Sequence, residues 1–182
     1  VAGGGIIASI IGIFAVRIGR GVAAKMEALL NALRRGTVVA AILTGVFSFL
    51  AIFLLNHYLD ANIPISVLWA ILAGLIAGVA IGESTNFFTS YSYKPTLKIS
   101  EAAQTGAGTL LTRGFANGLL STLPPIILVV VAMIVAYKFA DIYGIAIAGV
   151  GMLATLGIQD ATDAYGPVAD NAGGIVEMSD LP

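Results

Sequence analysis

Long apolar runs separated by short polar connections dominate the chain. A membrane-spanning helix needs about 20 predominantly apolar residues, and about five stretches fit that requirement, the first of them clipped at its start. They extend roughly from Gly4 to Val16, Thr37 to Tyr58, Ile65 to Gly82, Thr105 to Tyr137 and Ile142 to Ile158. The fourth is longer than a bilayer requires, so we expect it to be tilted, kinked at Pro124-Pro125 or extended into water. The pattern predicts an all-α polytopic transmembrane helix bundle.

Composition supports this class. The chain is 58% hydrophobic and 10% charged, whereas an ordinary soluble domain carries about 25% charged residues. We therefore expect one transmembrane block over residues 1–182, a fragment of a larger membrane domain, without a soluble domain. The sequence contains no cysteine, which excludes disulfides and thiolate metal sites.

The charged connections predict how the block is oriented. The first, Arg17 to Arg35, carries five bases against one acid, and the third holds Lys94 and Lys98, whereas the second, Asp60 to Pro64, has no base. Because cytoplasmic connections are enriched in Lys and Arg, the first and third are expected on the cytoplasmic side. Alternation of the crossings then places the acidic segment from Asp160 to Asp180 on the same side.

Small residues recur at helical spacing in two of the apolar stretches. Gly74, Gly78 and Gly82 follow one another every four residues, and the fifth stretch has Gly144, Ala148 and Gly151. Small residues at this spacing let two helix backbones approach closely. The pattern predicts tight helix packing, not a functional site.

The C-terminal segment is the candidate site. Asp163 and Asp170 are seven residues apart, which would place them on one face of a continuous helix. Gly166-Pro167 favours a bend between them, although proline is also tolerated in a first helical turn. Because no base follows Lys138, these carboxylates have no local basic partner and would attract a divalent cation. The alternative to a metal site is a solvated loop in which the acids are scattered at random.

Two charged residues lie near or within apolar stretches. Arg113 is expected to pair with an acid or to face a polar cavity, since a base within a span needs a polar partner. Glu83 leaves a second class of function open, a secondary ion-coupled transporter with an intramembrane carboxylate site. That alternative is weakened because most acids concentrate at one surface. A purely structural membrane subunit would leave the Asp170-Asn171-Ala172-Gly173-Gly174 motif unexplained.

Four motifs occur in one order along the chain. The longest is Asp163 to Met178, DAYGPVADNAGGIVEM. It is preceded by Thr85-Asn86-Phe87-Phe88-Thr89-Ser90, Lys94-Pro95-Thr96 and Gln104 to Thr109, QTGAGT. In sequence and order these motifs resemble the membrane-bound inorganic pyrophosphatases that pump protons or sodium ions.

The resemblance implies a multi-pass homodimer with about sixteen spans per subunit, of which this chain would be a middle block. Such enzymes hydrolyse magnesium pyrophosphate at the cytoplasmic face and move protons or sodium ions across the bilayer. The expected cofactor is Mg²⁺, and no nucleic-acid partner is expected. The position associated with the K⁺ requirement would lie outside this chain, as would other catalytic motifs, so the fragment alone is not expected to be active.

The resemblance also assigns roles to individual residues. Asp170 matches an aspartate that helps to bind magnesium pyrophosphate, and Asp163 matches the aspartate that opens the same motif. Both are therefore expected as catalytic magnesium ligands, with Asn171 contacting pyrophosphate or shaping a turn together with the adjacent glycines.

The chain departs from the family pattern at one motif. The family commonly has Thr-Glu-Tyr-Tyr-Thr where this sequence has Thr85-Asn86-Phe87-Phe88-Thr89. The missing acid falls at Asn86, while Glu83 lies three residues earlier, about one helical turn away. Glu83, Asn86 and Arg113 are therefore the candidates for the ion path.

Overall fold

The computed structural model describes residues 1–17 and 26–179, and every regular element in those residues is helical. Three stretches are long and apolar enough to cross a membrane; they lie in α2, in α3 with α4, and in α5 with α6. The elements are α1 (Ala2–Ile13), α2 (Met26–Leu59), α3 (Ser66–Thr89), α4 (Lys94–Ala103), α5 (Ala107–Met152), a 3-10 helix (Leu153–Thr155) and α6 (Leu156–Met178). The all-α class is confirmed, and the count of about five spans stays a prediction.

Some predicted features lie outside the described residues. The bases Arg20 and Lys25 of the first connection and the terminal acid Asp180 belong to this group. The remaining chain divides into two compact units. The first contains residues up to Ile63 and those from Leu153 onward, and the second extends from Pro64 to Met152.

In the first unit, α1 packs against two neighbours through its small residues. Gly4 lies beside Phe47 of α2, and Gly12 lies beside Ala40, so α1 and α2 are antiparallel. On its other side, Gly5 meets the backbone of Ala154 and Gly12 meets the side chain of Ile158. The start of α6 therefore runs in the same direction as α1.

In the second unit, α5 is broken into two arms. Ala140 and Asp141 have non-helical dihedral angles, and the φ of 48° and ψ of −142° at Asp141 are a combination that residues other than glycine rarely adopt. Ala136 and Ala148 share a buried cluster with Ala70, although a straight helix would separate them by about 18 Å. The chain therefore reverses direction, giving a long arm (107–139) and a short arm (142–152).

The kink predicted at Pro124-Pro125 is not observed. Both prolines lie inside the long arm, and the only non-helical residues within α5 are Ala140 and Asp141. A membrane helix can tolerate the hydrogen bonds that proline removes. The reversal requires the backbones of the two arms to meet, and Gly144 allows this because it lies against the carbonyl oxygen of Ala136.

Both arms pack on α3. The long arm is antiparallel to α3, because Trp69 stacks on Phe139 at one end (ring centroids 6.2 Å apart) and the Asn117 amide donates to the Phe88 carbonyl at the other. The short arm is parallel to α3, with Gly74 against the Ala148 carbonyl and Gly78 against that of Met152. The close packing predicted from the glycine spacing is confirmed at these positions.

We predict that Gly74→Ala destabilises the complete protein by about 1–3 kcal/mol, the usual cost of overpacking a closely packed interior. The added methyl group would overlap the carbonyl oxygen of Ala148, which belongs to backbone and cannot swing aside. Thermal unfolding of the detergent-extracted protein measures the effect. Gly118→Ala is the matched control, since nothing lies within 4 Å of its added carbon. Equal melting temperatures for the two variants would refute this packing.

Candidate functional site

The acidic motif lies on α6, which is helical from Leu156 to Met178. Pro167 is inside this helix, so the helix is not broken at Gly166-Pro167 and the turn predicted at Asn171 and its glycines is wrong. A bend of the helix axis at Pro167 stays a prediction. The seven-residue spacing therefore does place Asp163 and Asp170 on one helix face, about two turns apart. Their Cα atoms are separated by roughly 10 Å along the axis.

This separation restricts what the two carboxylates can bind. Mg²⁺ takes its ligands at about 2.1 Å, so two short side chains roughly 10 Å apart on one helix cannot contact the same ion. Asp163, Asp170 and Asn171 are all exposed. Among the side chains of residues 1–17 and 31–179, no group of three or more His, Cys, Asp or Glu comes together. A magnesium site on α6 therefore needs ligands from elsewhere or from the substrate.

The other predicted residues lie in the second unit. Glu83 and Asn86 belong to the last turns of α3, both partly buried. Because they are three residues apart on a helix, they occupy one face. The structure therefore places a carboxylate, Glu83, and an amide, Asn86, side by side at this end of α3. Asn86 is the position where the pattern resembled above has its acid.

Arg113 lines an open groove between α4 and the first turns of the long arm. The groove has a volume of about 630 Å³, and Lys98, Glu101, Thr109 and Thr112 also line it. Arg113 itself is exposed. The structure places it in one groove with an acid and a second base, at the end of the unit that also carries Asn117.

Sequence reasoning missed two sets of polar residues. Thr96 and Asn117 both donate to the Phe88 carbonyl, at 3.3 and 3.2 Å, and so fix α4 and α5 to the end of α3. Among the described residues of the first unit, the buried polar side chains are all hydroxyls: Ser9, Thr44, Ser48 and Thr155. For Thr44 and Ser48 the sequence did contain a signal. Together with Ala40 they follow one another every four residues, which places three small side chains on one face of α2.

The apolar helices and their packing define the protein as an integral membrane protein with a strip of exposed carboxylates on one helix. A family model described as inorganic H⁺ pyrophosphatase matches residues 1–182. The match covers the whole chain, so the chain belongs to this family.

Individual relatives agree. A Thermotoga maritima protein named as a K⁺-stimulated pyrophosphate-energized sodium pump is 40% identical over 64% of this chain. A Bacteroides thetaiotaomicron protein, provisionally given the same name, is 46% identical over 100% of the chain, which covers 25% of that protein. A Moorella thermoacetica protein named as a K⁺-insensitive pyrophosphate-energized proton pump is 36% identical over 98% of the chain, which covers 26% of that protein. The chain thus spans about a quarter of the length of relatives that it matches nearly in full.

Proposed function

We propose that this chain is one block of a primary ion pump that couples hydrolysis of magnesium pyrophosphate at the cytoplasmic face to translocation of protons or sodium ions. The observation that carries the proposal is the family match along the entire chain, supported by relatives that are named as pyrophosphate-energized sodium or proton pumps. The secondary-transporter alternative finds no support in these relatives. Because these relatives include K⁺-stimulated and K⁺-insensitive forms, the match does not indicate whether K⁺ stimulates the pump.

We assign the metal-binding role to α6. Hard cations such as Mg²⁺ prefer carboxylate oxygens, and the exposed carboxylates of Asp163 and Asp170 suit that chemistry. Because one ion cannot touch both, Asp170 and Asp163 would each hold a separate Mg²⁺. The bound metal would neutralise phosphate charge. Asn171 follows Asp170 directly, and its amide can donate a hydrogen bond to a phosphate oxygen.

The helix directions support a cytoplasmic location for α6. Since the start of α6 runs parallel to α1, both helices leave the membrane on the same face. The base-rich connection that follows α1 would therefore lie on the same side as the acids of α6. Such connections are enriched on the cytoplasmic side. We further propose a homodimer of about sixteen spans per subunit, which cross-linking of the complete protein in its membrane would test through the size of the product.

We predict that Asp170→Asn lowers pyrophosphate hydrolysis by the complete protein roughly 100-fold and raises its magnesium requirement. Asparagine has nearly the shape of aspartate but lacks the charge that holds a hard cation. Folding should be retained, because the side chain is exposed on α6. Steady-state phosphate release across a magnesium titration measures the effect.

Asp60→Asn is the matched control for this experiment. Asp60 is exposed and has a φ of 50°, a backbone conformation that asparagine accepts as well as aspartate. The control should hydrolyse pyrophosphate normally. Near-normal hydrolysis by the Asp170 variant at ordinary magnesium would contradict the ligand assignment.

We predict that Glu83→Gln impairs ion transport more than it impairs folding. A partly buried carboxylate beside Asn86 is costly in a membrane unless a partner or an ion uses its charge. Transport into sealed vesicles and the yield of folded protein are compared with those of Glu101→Gln, which alters an exposed acid on α4. Unchanged transport and hydrolysis in the Glu83 variant would remove Glu83 from the ion path.

We predict that single cysteines at Ser92 and at Ala61 react with a membrane-impermeant thiol reagent from opposite faces of sealed vesicles. Ser92 lies in the connection before α4, next to Lys94, and Ala61 lies in the base-free connection before α3; both are exposed. The absence of native cysteine in this chain keeps its background low. Ser92 should label from the cytoplasmic face, and labelling of both positions from one face would rule out this topology.

A further inference from the structure

Four hydroxyl side chains are buried inside the first unit, where helices meet. Ser9 of α1, Thr44 and Ser48 of α2, and Thr155 at the end of the 3-10 helix are each at most 3% exposed. Thr44 donates to the carbonyl of Ala40 and Ser48 to that of Thr44, each at 2.8 Å. The hydroxyls of Ser9 and Thr155 have no hydrogen-bond partner. Burying such a group without a partner is costly.

The two unpartnered hydroxyls belong to elements that are in direct contact. Gly5 of α1 lies against the backbone of Ala154, the residue before Thr155. One turn along α1, Ser9 faces Gly157 so closely that a carbon added to Gly157 would lie 3.2 Å from the Ser9 oxygen. Glycine at position 157 thus allows α6 to approach the Ser9 side chain this closely.

The Thr44 hydroxyl occupies a similar level along the unit. Because Gly12 lies beside Ala40 and Gly4 beside Phe47, the antiparallel pairing brings Ser9 level with the turn of α2 that contains Thr44. Thr44 already uses its hydrogen on the Ala40 carbonyl, so its oxygen remains able to accept a hydrogen bond. This interface therefore contains two hydroxyl donors without acceptors, Ser9 and Thr155. It also contains the Thr44 oxygen, which can accept a hydrogen bond.

The kind of ligand follows from this balance. A sodium ion would use the oxygen lone pairs but leave the hydrogens of Ser9 and Thr155 without acceptors. Its charge would also be buried without a carboxylate to balance it, because these four side chains are neutral hydroxyls. A water molecule accepts two hydrogen bonds and donates two, and buried waters with two to four polar partners are common in proteins.

We propose that the hydroxyls of Ser9 and Thr155 bind an internal water molecule where α1 and α2 meet the 3-10 helix. Interruptions of α-helix by 3-10 turns often mark hinges, and this one directly precedes α6. The water supplies a hydrogen-bond partner that can follow small displacements, so it makes this segment a hydrated hinge for the helix that carries Asp163 and Asp170.

The structure of the complete protein, at a resolution that shows ordered water, tests the site directly. We expect a water within hydrogen-bond distance of both the Ser9 and the Thr155 hydroxyl oxygens. Hydroxyls turned onto carbonyls of their own helices, with no water between them, would overturn the proposal. This readout is independent of pyrophosphate hydrolysis, so it can fail while the proposed function stands.

Thermal unfolding of variants gives a second test in which the sign is decisive. Thr155→Val keeps the side-chain shape and removes only the hydroxyl. If the hydroxyl binds water, the variant should melt roughly 2–4 °C lower, and if the hydroxyl is dry and unpartnered, removing it should raise the melting temperature. Ser9→Ala combined with Thr155→Val should shift the melting temperature by less than the sum of the single shifts, because both hydroxyls share one water.

Thr122→Val is the control for this cycle. Thr122 is exposed on the long arm, and its hydroxyl donates to Leu119 of its own helix. Its effect should add to that of Ser9→Ala. A raised melting temperature for Thr155→Val, or simple addition of the Ser9 and Thr155 effects, would overturn the shared water.

Discussion

Helices in a bilayer gain little by burying apolar side chains against one another, because lipid tails are as apolar as leucine. Their association depends on close contact between backbones. In this chain glycine provides that contact: Gly5 meets Ala154 in the first unit, while Gly74 and Gly144 meet the carbonyls of Ala148 and Ala136 in the second. The direction of each helix in its unit, and the reversal within α5, follow from these contacts.

The carboxylates proposed to bind magnesium lie where this packing ends. The start of α6 packs against α1 through Ile158, which is 2% exposed, whereas Asp163, Asp170 and Asn171 beyond it are exposed. The buried start fixes the direction of the helix, and the exposed remainder presents carboxylates that can meet a charged substrate. Because the two carboxylates are too far apart for one ion, the magnesium site proposed on α6 needs further ligands.

Local chemistry in the sequence predicted the class of protein well. The excess of apolar residues indicated membrane helices, and the four-residue spacing of Gly74 and Gly78 indicated a packed face. The sequence also placed Asp163 and Asp170 correctly on one helix face. The sequence did not predict where the helices are interrupted. Proline at positions 124, 125 and 167 suggested bends, but the helices continue through all three. The observed break in α5 occurs at Ala140 and Asp141, where packing against α3 decides the conformation and no local signal is strong. The unpartnered hydroxyls of Ser9 and Thr155 were equally hidden, because their neighbours are distant in sequence.

We propose above all that this chain serves a pump energised by pyrophosphate at the cytoplasmic face. The most direct measurement uses sealed inside-out vesicles containing the complete protein, with magnesium pyrophosphate added outside. We expect phosphate release together with accumulation of protons or sodium ions in the lumen. Right-side-out vesicles, whose cytoplasmic face is sealed inside, should show neither. Hydrolysis without ion accumulation, or no hydrolysis from the cytoplasmic face, would contradict the account.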